Sequence, residues 1–239
     1  MAPRSGRGLS GSMHLRRQLE SIETDGRRIA ELTEAHPDAR VASCPDWTGR
    51  DLQIHVGQFA RLVHQLIEAR GAQPEQEPIP DAEVLADYDA DLARLVATLH
   101  DTDPSAPAFT WSVTPKVAGF WSRRAVHELA VHRWDAETIT HAEPAPLPAD
   151  VAVDGIDEFL TEFVATGLAA GMVPPRPATL VIEPTDVDER FERDLGDPGP
   201  VTTIRGTASD LLLALWRRRD PLSVHAGGDP TPLEHWPSI

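Results

Sequence analysis

Through the first 170 residues, apolar side chains return every third or fourth position, the spacing of helices that bury one face. Leu15, Leu19, Ile22, Ile29 and Leu32 predict a helix over residues 14–35, with Gly26 inside it and His36-Pro37 ending it. Leu52, His55, Phe59, Leu62 and Leu66 share a face of a second helix, opened by Thr48 and Asp51 in capping-box spacing and running to about residue 70. On this arithmetic His55 sits among apolar neighbours and His64 lies on the solvated side. Leu85, Tyr88, Leu92, Leu95, Val96 and Leu99 mark a third helix ending near His100. A fourth covers 121–139, and Ile156, Phe159, Leu160, Phe163 and Val164 mark a fifth to about Gly171. The stretches between them, 40–52, 71–81, 101–116 and 141–150, read as loops, with Trp47 and Trp111 covering bundle ends.

Near 172–178 the texture changes. The runs 179–183, 189–195 and 201–205 have strand composition and are separated by Asp, Gly and Pro turns. A short helix follows Thr207, and a strand closes the segment PLSVHAGGD. The predicted class is α+β, with a helical unit over 14–172 and a small mixed unit over 178–239. Residues 1–13 are Gly- and Ser-rich without an apolar segment, so a disordered leader is expected there and not a signal peptide.

The fourth helix carries unusual chemistry for a packed face. Stepping 100° per residue, Trp121, Arg124, Ala125, Glu128, Val131, His132, Asp135 and Ile139 fall together. Buried ionisable groups must pair or ligate, because an isolated buried charge costs too much. Glu128 and His132, four apart, can converge on one ion, and His55 from the second helix can supply a third ligand. Two imidazoles and a carboxylate with an open position form a usual catalytic zinc set. Arg124 and Asp135 could orient Glu128 and a ligand imidazole. The same residues also fit a plain i,i+4 ion pair, a hydrogen-bonded core histidine, or a buried ion network without chemistry. HELAVH imitates the zinc-protease helix, but His127 and His132 are five apart, about 140° around the helix, and do not share a face.

Charge narrows the partners. Lys and Arg number 22 against 38 Asp and Glu, for a net charge of −16. Such a chain is a poor match for nucleic acid or an anionic membrane. With one cysteine, Cys44, no disulfide framework exists, and the thiol reads as a small buried side chain. A cytoplasmic protein is expected, a monomer or small homo-oligomer.

At these residues the chain resembles the mycothiol-dependent maleylpyruvate isomerase family. SCPDWTGRDLQIHVGQFARLV is similar to its first motif, and AVHELAVHRWDAE to its second. The tail from TLVIE through IRGTASDLLLALWRRRDPLSV resembles its C-terminal domain. The resemblance implies a DinB-like four-helix bundle followed by a sterol-carrier-like α+β domain. It implies a divalent metal, usually zinc, on His55, Glu128 and His132, and mycothiol as the thiol that the metal activates for isomerisation or thiol transfer on a small electrophile. It also implies a catalytic arginine at Arg218. Where that family has Trp-Gly-Arg, this chain has Trp216-Arg217-Arg218, and the glycine is missing. The competing expectation is a regulatory module that binds a metal or ligand without turnover.

Overall fold

The computed structural model describes residues 13–75, 78–140, 144–234 and 236. The leader expected over 1–13 lies outside them except for Met13, which packs against the core. Four long helices form the first layer: α1 Leu15–Ala35, α2 Gly49–Glu68, α3 Asp81–Asp101 and α4 Ala118–Glu137. The predicted capping box at α2 is present. Thr48 Oγ1 accepts from Asp51 N–H, and Asp51 accepts from Thr48 N–H at 2.8 Å. The segment expected as a loop before α2 is a small hairpin, β1 Arg40–Val41 against β2 Cys44–Thr48.

Helix α4 is the centre of the bundle. It touches α1, α2 and α5 (Ala149–Glu158), and it is buried almost all round. That placement explains why its face mixes apolar and ionisable residues: few of its positions reach water, so its charged groups are paired inside.

Helix α2 is turned relative to expectation. Leu52, Val56, Ala60, Val63 and Ile67 are buried, whereas His55, Phe59 and Leu62 are partly exposed. At 100° per residue the buried face is rotated by about 80° from the stripe read in the sequence. The cause is close packing on α3, where Gly57 admits Val84 so near that a Cβ would stand 2.6 Å from its Cγ1. The same rotation turns His64 toward α3, where it is half-buried with its Nδ1 2.7 Å from the Thr98 hydroxyl.

The fifth helix is continuous but not uniform. After α5 the chain takes a π-helical turn over Phe159–Val164 before α6, Ala165–Ala169. A mixed four-stranded sheet follows: β3 Thr179–Pro184, β4 Phe191–Asp194, β5 Val201–Gly206 and β6 His225–Gly228, in the order β4-β3-β5-β6. Strands β3 and β5 are parallel, and the edge pairs are antiparallel. Helix α7, Ala208–Leu215, is capped by Thr207 as expected and packs on β5, β3 and α5. A last turn, α8, covers Thr231–Glu234. Gly155 lets α5 and α7 meet, since a Cβ there would stand 2.6 Å from a Leu212 methyl. One apolar cluster runs from Leu19 to Trp236 and joins the helices to the sheet.

Candidate metal centre

Helices α2 and α4 bring His55, Glu128 and His132 together, and one ligand atom from each lies within 4.8 Å of the others. Glu128 Oε1 is the common point, 2.8 Å from His55 Nε2 and 3.4 Å from His132 Nε2. The two imidazole centroids are 4.7 Å apart and nearly perpendicular. The three side chains line a cleft of about 490 Å³ that also takes in Cys44, Trp47, Phe163, Trp216 and Arg218. His55 was expected in the core; it instead stands at the cleft edge with 37% of its side chain exposed, as the turned face of α2 requires.

Two of the three groups have a supporting partner outside the triad. His132 Nδ1 lies 2.9 Å from Asp135 Oδ2, which leaves Nε2 toward Glu128. Arg124 Nη2 donates to Glu128 Oε2 at 3.2 Å, and its Nη1 donates to the buried Glu158. Arg124 also faces the rings of Phe163 and Trp216. Burial alone would raise the Glu128 carboxyl, but hydrogen bonds to His132 and His55 and the charge of Arg124 hold it well below its ordinary range. Burial would lower His132, yet its bonds to Asp135 and Glu128 raise it to about 9. Asp135 is likewise held at about 2 against its burial, by His132 and Arg218. Cys44 goes the other way. Burial and the Asp135 charge push its thiol up, so it is a poor nucleophile at neutral pH.

Arg218 reaches the same network from α7. Its Nη2 donates to Asp135 Oδ2 at 2.9 Å. The turn that places it is a Schellman motif: Arg218 N–H donates to Leu213 O at 2.8 Å and Arg217 N–H to Ala214 O at 3.0 Å. Such a turn needs one left-handed residue, and Arg217 supplies it with φ 54°. The arginine therefore adopts the conformation a glycine would hold at that position, and its guanidinium binds the Trp236 carbonyl.

Several cleft residues were not marked by the sequence. Trp47, expected as a bundle cap, has its ring 4.9 Å from His55 and 5.9 Å from His132. Ser43 donates to Asp135 Oδ1 at 2.5 Å. Glu158 is the hidden anchor of Arg124, and Phe163 reaches the cleft from the π-helical turn. The segment CPDWT was the available signal for Trp47; nothing in periodicity pointed to Ser43 or Glu158. His127, dismissed as a ligand, is fully buried against Asp154, away from the triad.

The profile of the mycothiol maleylpyruvate isomerase N-terminal domain matches residues 19–137, and that of the MDMPI C-terminal domain matches 150–235. The second match begins well before the 172–178 break in composition, taking in α5, which packs on α7. Two solved structures are similar: the mycothiol-dependent maleylpyruvate isomerase and a histidine-to-alanine variant of it, at 14% and 13% identity with TM-scores of 0.62 and 0.63. Each alignment covers 86% of this chain and 90% of the other, and at these identities the likeness concerns the fold. No curated protein matches the chain in sequence.

Proposed function

The chain belongs to the mycothiol maleylpyruvate isomerase family, and from that membership we propose that it is an enzyme using a divalent metal, most readily zinc, to activate a small mycothiol-like thiol. The carrying observation is the convergence of His55 Nε2, Glu128 Oε1 and His132 Nε2 in the wall of an open cleft. The donor set fits the ion: two imidazoles and one carboxylate, from two helices, with one flank open to the cleft. A cation bound there would lower a thiol's pKa, so that the thiolate is present at neutral pH.

The protein's own groups prepare that site. Asp135 fixes the tautomer of His132 and so aims Nε2 inward. Arg124 and Glu158 hold the Glu128 carboxylate in place from below. Trp47 packs beside both imidazoles, stacked on His132 and tilted to His55. Arg218, at the rim, ties α7 to α4 through Asp135 and is the residue we assign to the reacting side of the cleft. The chemistry in our reading is isomerisation, as the name of the solved relatives suggests, or thiol transfer on a small electrophile. The high thiol pKa of Cys44 supports an external thiol, and not this cysteine, as the nucleophile.

Metal analysis after reconstitution with zinc tests the proposal. About one ion per chain is expected, and His55→Ala or His132→Ala should each weaken uptake by at least about tenfold, each variant losing a ligand. A folded protein that takes up no divalent metal would overturn it.

A further inference from the structure

Helix α2 turns an apolar strip away from the core. Phe59 and Leu62, one and two turns beyond His55, stay half-buried at the surface. With Pro78 and Ile79, from the segment before α3, they wall a groove of about 470 Å³. His55 lines this groove as well as the metal cleft, so the two meet at its imidazole. At 1.5 Å per residue, the stretch from His55 to Gln65 makes the groove about 15 Å long. Apolar side chains scattered singly on a surface need no explanation, but a walled strip that starts at a metal ligand has the form of a binding site.

The groove and the cleft differ in charge. The cleft holds two guanidiniums, and the buried Nε of Arg124 has no partner among the described residues. The groove has one guanidinium, Arg61, whose charge is matched by Glu83, Asp87 and Asp91. Its free polar groups are neutral. Gln58 and Gln65 line it, are exposed, and their amides meet no hydrogen-bond partner among the described residues. Each amide offers two donors and one acceptor oxygen, the complement of hydroxyl groups that both donate and accept. The Phe59 ring and the Pro78 ring give flat apolar faces on which the C–H face of a saturated ring can lie while its hydroxyl edge turns to the amides.

We propose that this groove binds the tail of the activated thiol, and that the tail is a neutral polyol about two rings long. The sulfur then sits at the triad, the tail passes the exposed edge of His55 and runs along α2, and the cleft with its guanidiniums is left to the electrophile. That the ligand is a thiol rests on the metal reading above; the neutral, hydroxyl-rich and elongated character of its tail rests on the groove alone.

Calorimetric titration of the zinc-loaded full chain compares N-acetylcysteamine, a thiol without a tail, with mycothiol, which carries a neutral two-ring polyol. Mycothiol is expected to bind at least about tenfold more tightly. The double variant Gln58→Leu/Gln65→Leu changes two exposed positions, and zinc content and Tm should stay at the parent values. It is expected to cut the mycothiol advantage to about threefold or less. Equal binding of the two thiols by the parent, or an advantage that the double variant leaves intact, overturns the inference. Saturation-transfer NMR with the thiol-free tail, N-acetylglucosaminyl-inositol, on metal-stripped protein separates the groove from the metal. Transfer that the double variant abolishes upholds the groove, and in a chain that takes up no zinc it does so while removing the thiol-activating reading. Absence of transfer, or transfer unchanged in the double variant, overturns the inference.

Discussion

Replacing Arg217 by glycine and by alanine separates backbone strain from side-chain contact at the turn that delivers Arg218. The residue has φ 54°, where a Cβ crowds the following carbonyl at a cost of about 1 kcal/mol. Its Nε donates to Trp236 O at 2.7 Å, a charged hydrogen bond at the surface that contributes about 1 kcal/mol. Arg217→Ala loses the bond and keeps the strain, so it should destabilise by about 1 kcal/mol or slightly more. Arg217→Gly loses the bond and relieves the strain, less a few tenths of a kcal/mol for the greater freedom of glycine in the unfolded chain. The glycine variant should therefore stand within about 0.5 kcal/mol of the parent and above the alanine variant by about the same amount or more. In a chain of this size that corresponds to roughly 1–3 °C in Tm. Urea unfolding followed by tryptophan fluorescence, with equal m values, measures the difference. An alanine variant as stable as the glycine variant would refute the left-handed turn as the reason a glycine suits this position.

Three further outcomes follow from particular contacts. Asp135→Asn leaves His132 and Arg218 facing a neutral amide in a buried site, which should cost about 3 kcal/mol in urea unfolding; a loss below about 1 kcal/mol would show the pair to be dispensable. Asp25 is raised to about 6 by burial, against the opposing charges of Arg133 and Arg17. A carboxyl raised on folding contributes stability fully below its unfolded value of 3.8, and that contribution is lost as pH rises through about 6. Asp25→Asn should thus be the more stable protein above pH 6, by roughly 1–3 kcal/mol, with the gap closing below pH 4; a constant gap across that window refutes the assignment. Gly57→Ala puts a Cβ 2.6 Å from Val84 Cγ1 and should destabilise by about 1–2 kcal/mol despite alanine's better helix propensity. Thermal unfolding would contradict this close packing of α2 on α3 if the variant were the more stable.

What could be read from the chain depended on whether a feature lies within one element or between two. Glu128 and His132 are four apart on one helix, so the angle per residue already places them on one face. The Thr48/Asp51 cap, the Thr207 cap and the three strands are local in the same sense. His55 belongs to another helix, and its rotation is set by α3. Periodicity placed it in an apolar stripe, whereas packing through Gly57 turned α2 by about 80° and left it at the cleft edge. The groups that set the site's charge are further from local rules still. Arg218 and Asp135 are separated by 83 residues, and Arg124 and Glu158 by 34. No spacing encodes such pairs. The resemblance supplied a ligand set and an arginine position, and the missing glycine in Trp216-Arg217-Arg218 left open whether that arginine is delivered. The left-handed Arg217 answers that point by backbone conformation, since Arg218 does reach the cleft. Arg218 is thereby held against Asp135 at the cleft wall, a placement that depends on one backbone conformation and on a partner 83 residues away.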